Sequence, residues 1–308
     1  ARRRVRSESA WPPRVRLGSF GSANYAGAVI DGSLWLGQGA PDPSASSWLR
    51  LTPEAGFGTL LAASDAGLTL GGGALDWSPG GGLGLFSRFG DLRIDTDVTA
   101  SGGTLTARAL TGSLTVAEGR RLDVAGRVLN EAIDGPLASI GEAGSLSGGS
   151  VELAAGRALT MAEGSLIDVS GGARVSTAGE VTGGAAGRIS LAATARVLQG
   201  QAGAPSLQLD GTLSGLSMLA GGSLALATGS LRLGAAEPGD TRADLTLDAA
   251  FLSQGGFARF ALEGREFVEI EAGFQAAPVA QTWAGTRSLG MAPSGSRLAD
   301  HAALEDRK

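Results

Sequence analysis

Apolar and polar residues alternate along this chain in short bursts with a period of two, and glycine closes most of the bursts. Residues 148–172, GGSVELAAGRALTMAEGSLIDVSGG, hold three apolar-x-apolar triplets: Val151-Glu152-Leu153, Leu159-Thr160-Met161 and Ile167-Asp168-Val169. Each triplet sends two side chains to one face of an extended strand and one to the other. Strands this short cannot bury an apolar face alone, so they predict copies of themselves stacked above and below. On that pattern Val151, Leu153, Ile167 and Val169 point inward, and Glu152 and Asp168 form a solvated outer face.

The copies are present. Triplets start at 114 and 122, at 151 and 159, at 224 and 231, and at 260 and 268, while 189 is followed by the pair Val197-Leu198. The first members, Leu114, Val151, Ile189, Leu224 and Phe260, are 35 to 38 residues apart, and most follow a glycine and one further residue, as in Gly149-Ser150, Gly187-Arg188 and Gly222-Ser223. Offset triplets at 167, 207 and 245 divide this unit of about 36 residues into two coils of about 18. About ten such coils between 65 and 275, at a strand spacing of about 4.8 Å, would make a shaft about 50 Å long. Upstream, Leu49-Arg50-Leu51 and Leu68-Thr69-Leu70 are further triplets. Residues 91–98 alternate cleanly, with Leu92, Ile94, Thr96 and Val98 on one face and Asp91, Arg93, Asp95 and Asp97 on the other.

Composition narrows the fold. The 308 residues include 51 glycines, so the chain is either turn-dense or disordered; at 43% hydrophobic, with glycines at fixed spacing, it is turn-dense. Helical repeats need long stretches of 3.6 period with few glycines. A leucine-rich repeat needs its asparagine, and the chain has only Asn24 and Asn130. A propeller carries more aromatic residues than 5%. The pattern predicts an all-β fold, a parallel β-solenoid. Residues 1–48, rich in proline and tryptophan, read as an irregular leader with a strand at 33–36; 49–275 are the repeats; 276–308 read as a polar, disordered tail that ends abruptly.

Candidate chemistry is sparse. There is no cysteine, one histidine (His301) and one lysine (Lys308), which excludes thiol catalysis, thiolate metal sites, a Schiff-base or P-loop lysine and a multi-histidine metal centre. Carboxylates, arginines and Tyr25 remain. The net charge of −5 gives no overall basic footprint for nucleic acid, and ARRRVR at the start reads as a solvated basic end. No apolar run approaches a membrane span, and SESAWPP after the arginines is not a secretory signal, so the chain reads as beginning inside a longer protein.

GGGALD (71–76) and GGLGLF (81–86) approach the calcium-binding GGxGxD repeat, but Ala74 and Phe86 replace its third glycine and its aspartate. Asp91, Arg93, Asp95 and Asp97 form the densest outward carboxylate group, and Glu263, Glu266, Glu269 and Glu271 a second; both read as solvated strand faces. The tryptophans read as burying loops against the shaft. No catalytic, cofactor-binding or metal-binding residue is assigned.

GGSVELAAG, GSLIDVSGGA, GGAAGRISLAA and GGSLALATGSLRL resemble the shaft repeats of filamentous haemagglutinin-like large exoproteins, a two-partner secretion adhesin family. The resemblance covers about residues 50–275. It implies a right-handed parallel β-helix, export through an outer-membrane two-partner secretion transporter, and a bacterial virulence protein that is secreted or held on the outer cell surface. The NPNL-type asparagine motif of that family's secretion domain does not occur, so the chain reads as an internal or C-terminal piece of such a shaft or as a truncated gene product. The expected function is a non-enzymatic adhesin shaft meeting host or bacterial glycans and receptors. The alternatives are the stalk of a contact-dependent inhibition toxin-delivery protein and, third, a β-helix polysaccharide lyase or hydrolase.

Overall fold

The computed structural model describes residues 59–307 apart from 73, 78, 136–144, 194–205, 236–242 and 277–278, together with the backbone of 16–19, 25–30 and 34–36. In chain order, β1 (Arg16–Ser19) precedes β2 (Tyr25–Ile30) and β3 (Leu34–Leu36). Two short tiers follow: β4 (Thr59–Ser64), β5 (Leu68–Gly71) and β6 (Leu75–Asp76), then β7 (Gly82–Ser87), β8 (Leu92–Asp95) and β9 (Val98–Thr99). The next tier is β10 (Thr104–Ala109), β11 (Leu114–Val116) and β12 (Arg121–Asp123), extended by β13 (Val128–Asn130) and the one-turn helix α1 (Glu131–Asp134). Then come β14 (Ser150–Ala155), β15 (Leu159–Met161) and β16 (Leu166–Asp168), extended by β17 (Ala173–Val175) and β18 (Val181–Gly183). The last tiers are β19 (Arg188–Ala193), β20 (Leu207–Leu209) and β21 (Thr212–Ser214), then β22 (Gly222–Leu233) with β23 (Leu245–Leu247), and β24 (Phe257–Ile270). A hairpin of β25 (Ala280–Gly285) and β26 (Ala302–Arg307) follows.

The chain is mostly β, and its tiers build three stacked sheets. The first runs β1-β2-β4-β7-β10-β14-β19-β22 and carries β23 and β24 on β22; the second is β3-β5-β8-β11-β15-β20; the third is β6-β9-β12-β16-β21. Apart from β1 on β2, the pairs within these sheets are parallel. The arrangement is consistent with an all-β parallel solenoid.

The glycines before the first-sheet strands have a specific role. Thr104 N–H donates to Gly81 O, Ser150 to Gly103 O, Arg188 to Gly149 O and Ser223 to Gly187 O, at 2.9, 2.9, 3.1 and 3.0 Å. Each corner carbonyl thus accepts the first bond of the next tier. A Cβ at Gly149 would lie 1.9 Å from Gly103 O, and one at Gly187 1.7 Å from Gly149 O. Only glycine lets the corners stack this closely.

Between the sheets, the inward positions form one column. Leu85, Ala107, Leu153 and Leu191 of the first sheet, Ile94, Val116 and Met161 of the second, and Leu122 and Ile167 of the third have no solvent exposure. Each large aliphatic in the column contributes about 1.5–3 kcal/mol by burial.

Val151, Ile189, Leu224 and Phe260 are stacked register partners, as their spacing predicts. Leu114 is not. It lies in the second sheet between Leu92 and Leu159, and the partner of Val151 is Leu105. Strand starts at 59, 82 and 104 put 23 and 22 residues in an uninterrupted tier rather than 18. The 35–38-residue unit is one tier plus an insertion, so the seven first-sheet strands from β4 to β24 span about 29 Å at about 4.8 Å per step, not 50 Å. Leu49-Arg50-Leu51 and Val197-Leu198 lie outside the described residues.

Both ends differ from the expectation. Among the described residues the stack already includes part of the segment read as an irregular leader, where β2 and β3, the latter on the strand expected at 33–36, pair in parallel with β4 and β5. The segment read as a disordered tail is folded. Leu289, Ala292 and Leu298 pack with Val128, Ala173 and Val175 into a second small core, which covers β13 and β17 of the three-stranded sheet β13-β17-β18. Three well-placed apolar residues suffice because the partner surface is preformed by the tiers.

Candidate functional site

The densest group of buried charge lies where the third sheet meets the C-terminal segment. Asp123 and Asp168 are register partners on β12 and β16, one tier apart, with side chains 4% and 7% exposed. Two stacked carboxylates repel each other, and three arginines surround them. Arg127 Nη1 donates to Asp123 Oδ1 at 3.2 Å, and Arg121 lies 3.6 Å from Asp123 and 3.5 Å from Asp168. Arg297, 129 residues beyond Asp168, donates through Nη2 to Asp168 Oδ2 at 2.6 Å and brings Nε to 3.4 Å from Asp123 Oδ2.

Backbone amides engage the other oxygens. Asp123 Oδ1 accepts from Ala125 N–H and Asp168 Oδ1 from Ser170 N–H, each at 3.1 Å. Burial pushes the Asp168 carboxyl above its ordinary range. The Ser170 hydrogen bond opposes that rise, the Asp123 charge adds to it, and Arg121 opposes it.

The same segment is held at a second point by Asn130, which is 1% exposed. Its Nδ2 donates to Gly290 O at 3.1 Å and Ala292 O at 2.9 Å, while its Oδ1 caps α1 by accepting from Ala132 N–H at 3.2 Å. Val128 N–H donates to Ser296 O at 2.9 Å, and Gly295 N–H to Val128 O at 2.8 Å. Asp134 accepts from Ser294 N–H at 3.0 Å, and hydrogen bonding to Ser294 holds its carboxyl below the usual range. Arg174 grips Glu131 with two bonds of 2.9 Å. Residues 287–300 are thus a strap laid over β13 and β17 and pinned by Arg297.

Chemically, this cluster is a latch. The crevice left beside it, lined by Asp168, Ser170, Trp283 and Arg297 among others, measures about 10 Å³, room for about one water. It offers no space for a substrate while the strap is docked.

Asp168 therefore corrects the expectation of a solvated outer face. It points away from the apolar column as its position in the strand requires, but the strap covers it. Glu152 is half exposed as expected and pairs with Arg108 across adjacent first-sheet strands.

The carboxylates of 91–97 serve the tiers. Asp91 Oδ1 accepts from Ser113 N–H at 2.8 Å and Asp97 Oδ1 from Arg121 N–H at 2.9 Å, each reaching one tier on. Asp95 lies between Arg93 at 3.3 Å and Arg120 at 3.0 Å. The clean alternation of this stretch spans two strands and a corner, with Thr96 fully buried at the turn. Glu271 accepts from Ala235 N–H at 2.8 Å, while Glu263, Glu266 and Glu269 are exposed on β24.

Asp76 is exposed at the end of β6, and among the described residues no three or more histidine, cysteine, aspartate or glutamate side chains are placed to share a metal. Trp77 is buried against the main core and Trp283 packs against the second, in line with loop-burying roles; Trp11, Trp48 and the arginines of 2–6 lie outside the described residues. Among the described residues no helix is long and apolar enough to cross a membrane.

Sequence reasoning missed Asp123, Arg127, Asn130 and Arg297. An aspartate at the same strand position in two tiers, Asp123 and Asp168, was the available signal, because stacked like charges need a cation.

A shallow polar groove of about 420 Å³ crosses four tiers at the glycine corners, and Thr104, Ser150, Arg188 and Ser223 line its rim. No family model, no curated protein and no solved structure matches this chain.

Proposed function

We propose that the three stacked sheets close into a right-handed parallel β-helix and that this shaft is a non-enzymatic adhesive element of the filamentous haemagglutinin type. In that reading it is exported through an outer-membrane partner and displayed on the cell surface or released. The observation that carries the reading is the in-register ladder of the first sheet. Its outward positions present Thr104, Thr106 and Arg108, then Ser150 and Glu152, then Arg188 and Ser190, over successive tiers at a spacing of about 4.8 Å. Such a surface suits many weak contacts with an extended polar ligand, and the corner groove offers hydroxyls and a guanidinium to a glycan.

The stalk of a contact-dependent inhibition protein would share this scaffold, and no feature of the described residues favours it over the adhesin. The experiment is binding of the purified chain to a panel of immobilised glycans and to bacterial and host cells. Retention that falls at least tenfold in Arg188→Glu supports the adhesive reading. Turnover of pectin, alginate or hyaluronan above background would overturn it.

A further inference from the structure

We propose that the face beneath the strap is a peptide-acceptor site: the chain's own strap fills it, and once the strap lifts it takes an extended, arginine-bearing peptide from another molecule. The strap is seated as a bound peptide would be. Arg297 forms an antiparallel bridge to Arg127, while Val128 N–H donates to Ser296 O and Val128 O accepts from Gly295 N–H. The strap therefore adds to the edge of β13 that β17 leaves free. Asn130 Nδ2 donates to two strap carbonyls, Gly290 O and Ala292 O, and so reads main chain rather than side chains. Specificity comes from the stacked carboxylates. Asp168 and Asp123 take Arg297 Nη2 and Nε at 2.6 and 3.4 Å, a fork that suits a guanidinium and that a single ammonium cannot span.

The face and its occupant are each held by bonds of their own. On the face, β13 pairs with β17 and β17 with β18, Gly126 N–H donates to Ser170 O at 2.8 Å, and Arg174 grips Glu131. Arg121 and Arg127 stay beside Asp123 and Asp168 when Arg297 leaves, so two cations still face two anions. The strap, for its part, is the loop of the β25–β26 hairpin. Its base is closed by Thr286, whose N–H and Oγ1 both donate to His301 O. Thr282 and Trp283 fasten the hairpin to Ser217 O. The loop can thus lift and return on its tether without breaking a tier. While it is down, an outside peptide sees only the fraction of chains that are open.

A synthetic peptide of residues 286–301, TRSLGMAPSGSRLADH, is the probe. The receiving protein is the full chain with Arg297→Glu and Leu298→Asp, which set one carboxylate against Asp123 and Asp168 and another in the small core. Arg297→Glu alone, which leaves that core intact, serves if the double change unfolds the lobe. Hydrogen exchange at Val128 N–H is the readout, because its acceptor, Ser296 O, belongs to the strap. This amide should exchange about tenfold faster or more in the opened variant, with the circular dichroism spectrum of the parent. The peptide should restore its protection at about millimolar concentration, the effective concentration a short tether provides. It should leave the parent unchanged, and a peptide carrying Arg297→Met should bind the opened variant about tenfold more weakly or worse. A strap that stays docked in both variants overturns the proposal. So does an opened face that gains no protection from the peptide, or that takes the methionine peptide equally well. Dimers of the parent that exchange straps, seen by sedimentation velocity, would assign the site to a second copy and overturn the peptide assignment.

Discussion

Replacing Arg297 by methionine keeps most of the side-chain volume and removes the one cation that ties the C-terminal strap to both buried carboxylates. Losing one partner of a fully buried ion pair costs about 3–5 kcal/mol. The cost here is smaller, because Arg121 stays 3.5 Å from Asp168 and 3.6 Å from Asp123, and Arg127 keeps its 3.2 Å bond to Asp123. Two cations then face two anions, and the loss is one short charged hydrogen bond plus a longer contact, about 2 kcal/mol. That loss falls on docking of the strap, since the tiers retain their own core. At about 1.36 kcal/mol per decade it corresponds to about 30-fold faster opening. Hydrogen exchange of the amides in 287–300 reads this directly, including Gly295 N–H, which bonds Val128 O. Lysine at 297 should give an intermediate rate, because one ammonium cannot fork between two carboxylates. Pairing Arg297→Met with Asp168→Asn in a double-mutant cycle should show a coupling of about 1 kcal/mol or more. Exchange of the strap within about twofold of the parent in Arg297→Met would refute the latch.

Two further predictions concern the stack itself. Ile189 has no exposure and sits between Val151 and Leu224 in the ladder, so Ile189→Asp places an unpaired charge in the apolar column and should leave the chain unfolded at 25 °C by circular dichroism. A variant that melts with the parent would refute its inward placement. The second follows from the raised pKa of Asp168. A carboxyl whose folded value lies above its ordinary 3.8 contributes stability that is fully present below 3.8 and lost as pH rises through the folded value. Urea titrations of parent and Asp168→Asn across the acid range should therefore show the parent's advantage shrinking as pH rises through that window. A parent-minus-variant difference that grows with pH would show that the arginines outweigh burial.

The strand content and the inward face of nearly every tier were legible in the sequence, because a period of two is a local property and the column it feeds is continuous. The stacked set Val151, Ile189, Leu224 and Phe260 was found from spacing alone and matches the pairing. Leu114 departs from that set for a physical reason. The second sheet uses the same apolar-x-apolar triplet as the first, so a triplet reports a strand without reporting which sheet it joins. The corner glycine does not resolve this either: Leu114 follows Gly112-Ser113 as Val151 follows Gly149-Ser150, and a Cβ at Gly112 would lie 2.1 Å from Gly90 O, so both sheets stack their corners on glycine.

Asp168 shows a different limit. Alternation places it correctly, pointing away from the apolar column. What lies outside that column is set by Arg297, far along the chain, in a segment whose polarity marks it as solvent-loving. A strap that docks through one arginine, one asparagine and three apolar residues has almost no periodic signal, because its partner surface supplies the order. The cue was a mismatch of charge: Asp123 and Asp168 occupy the same position in successive tiers, and a solvated face has no need to stack carboxylates unless something cationic covers them.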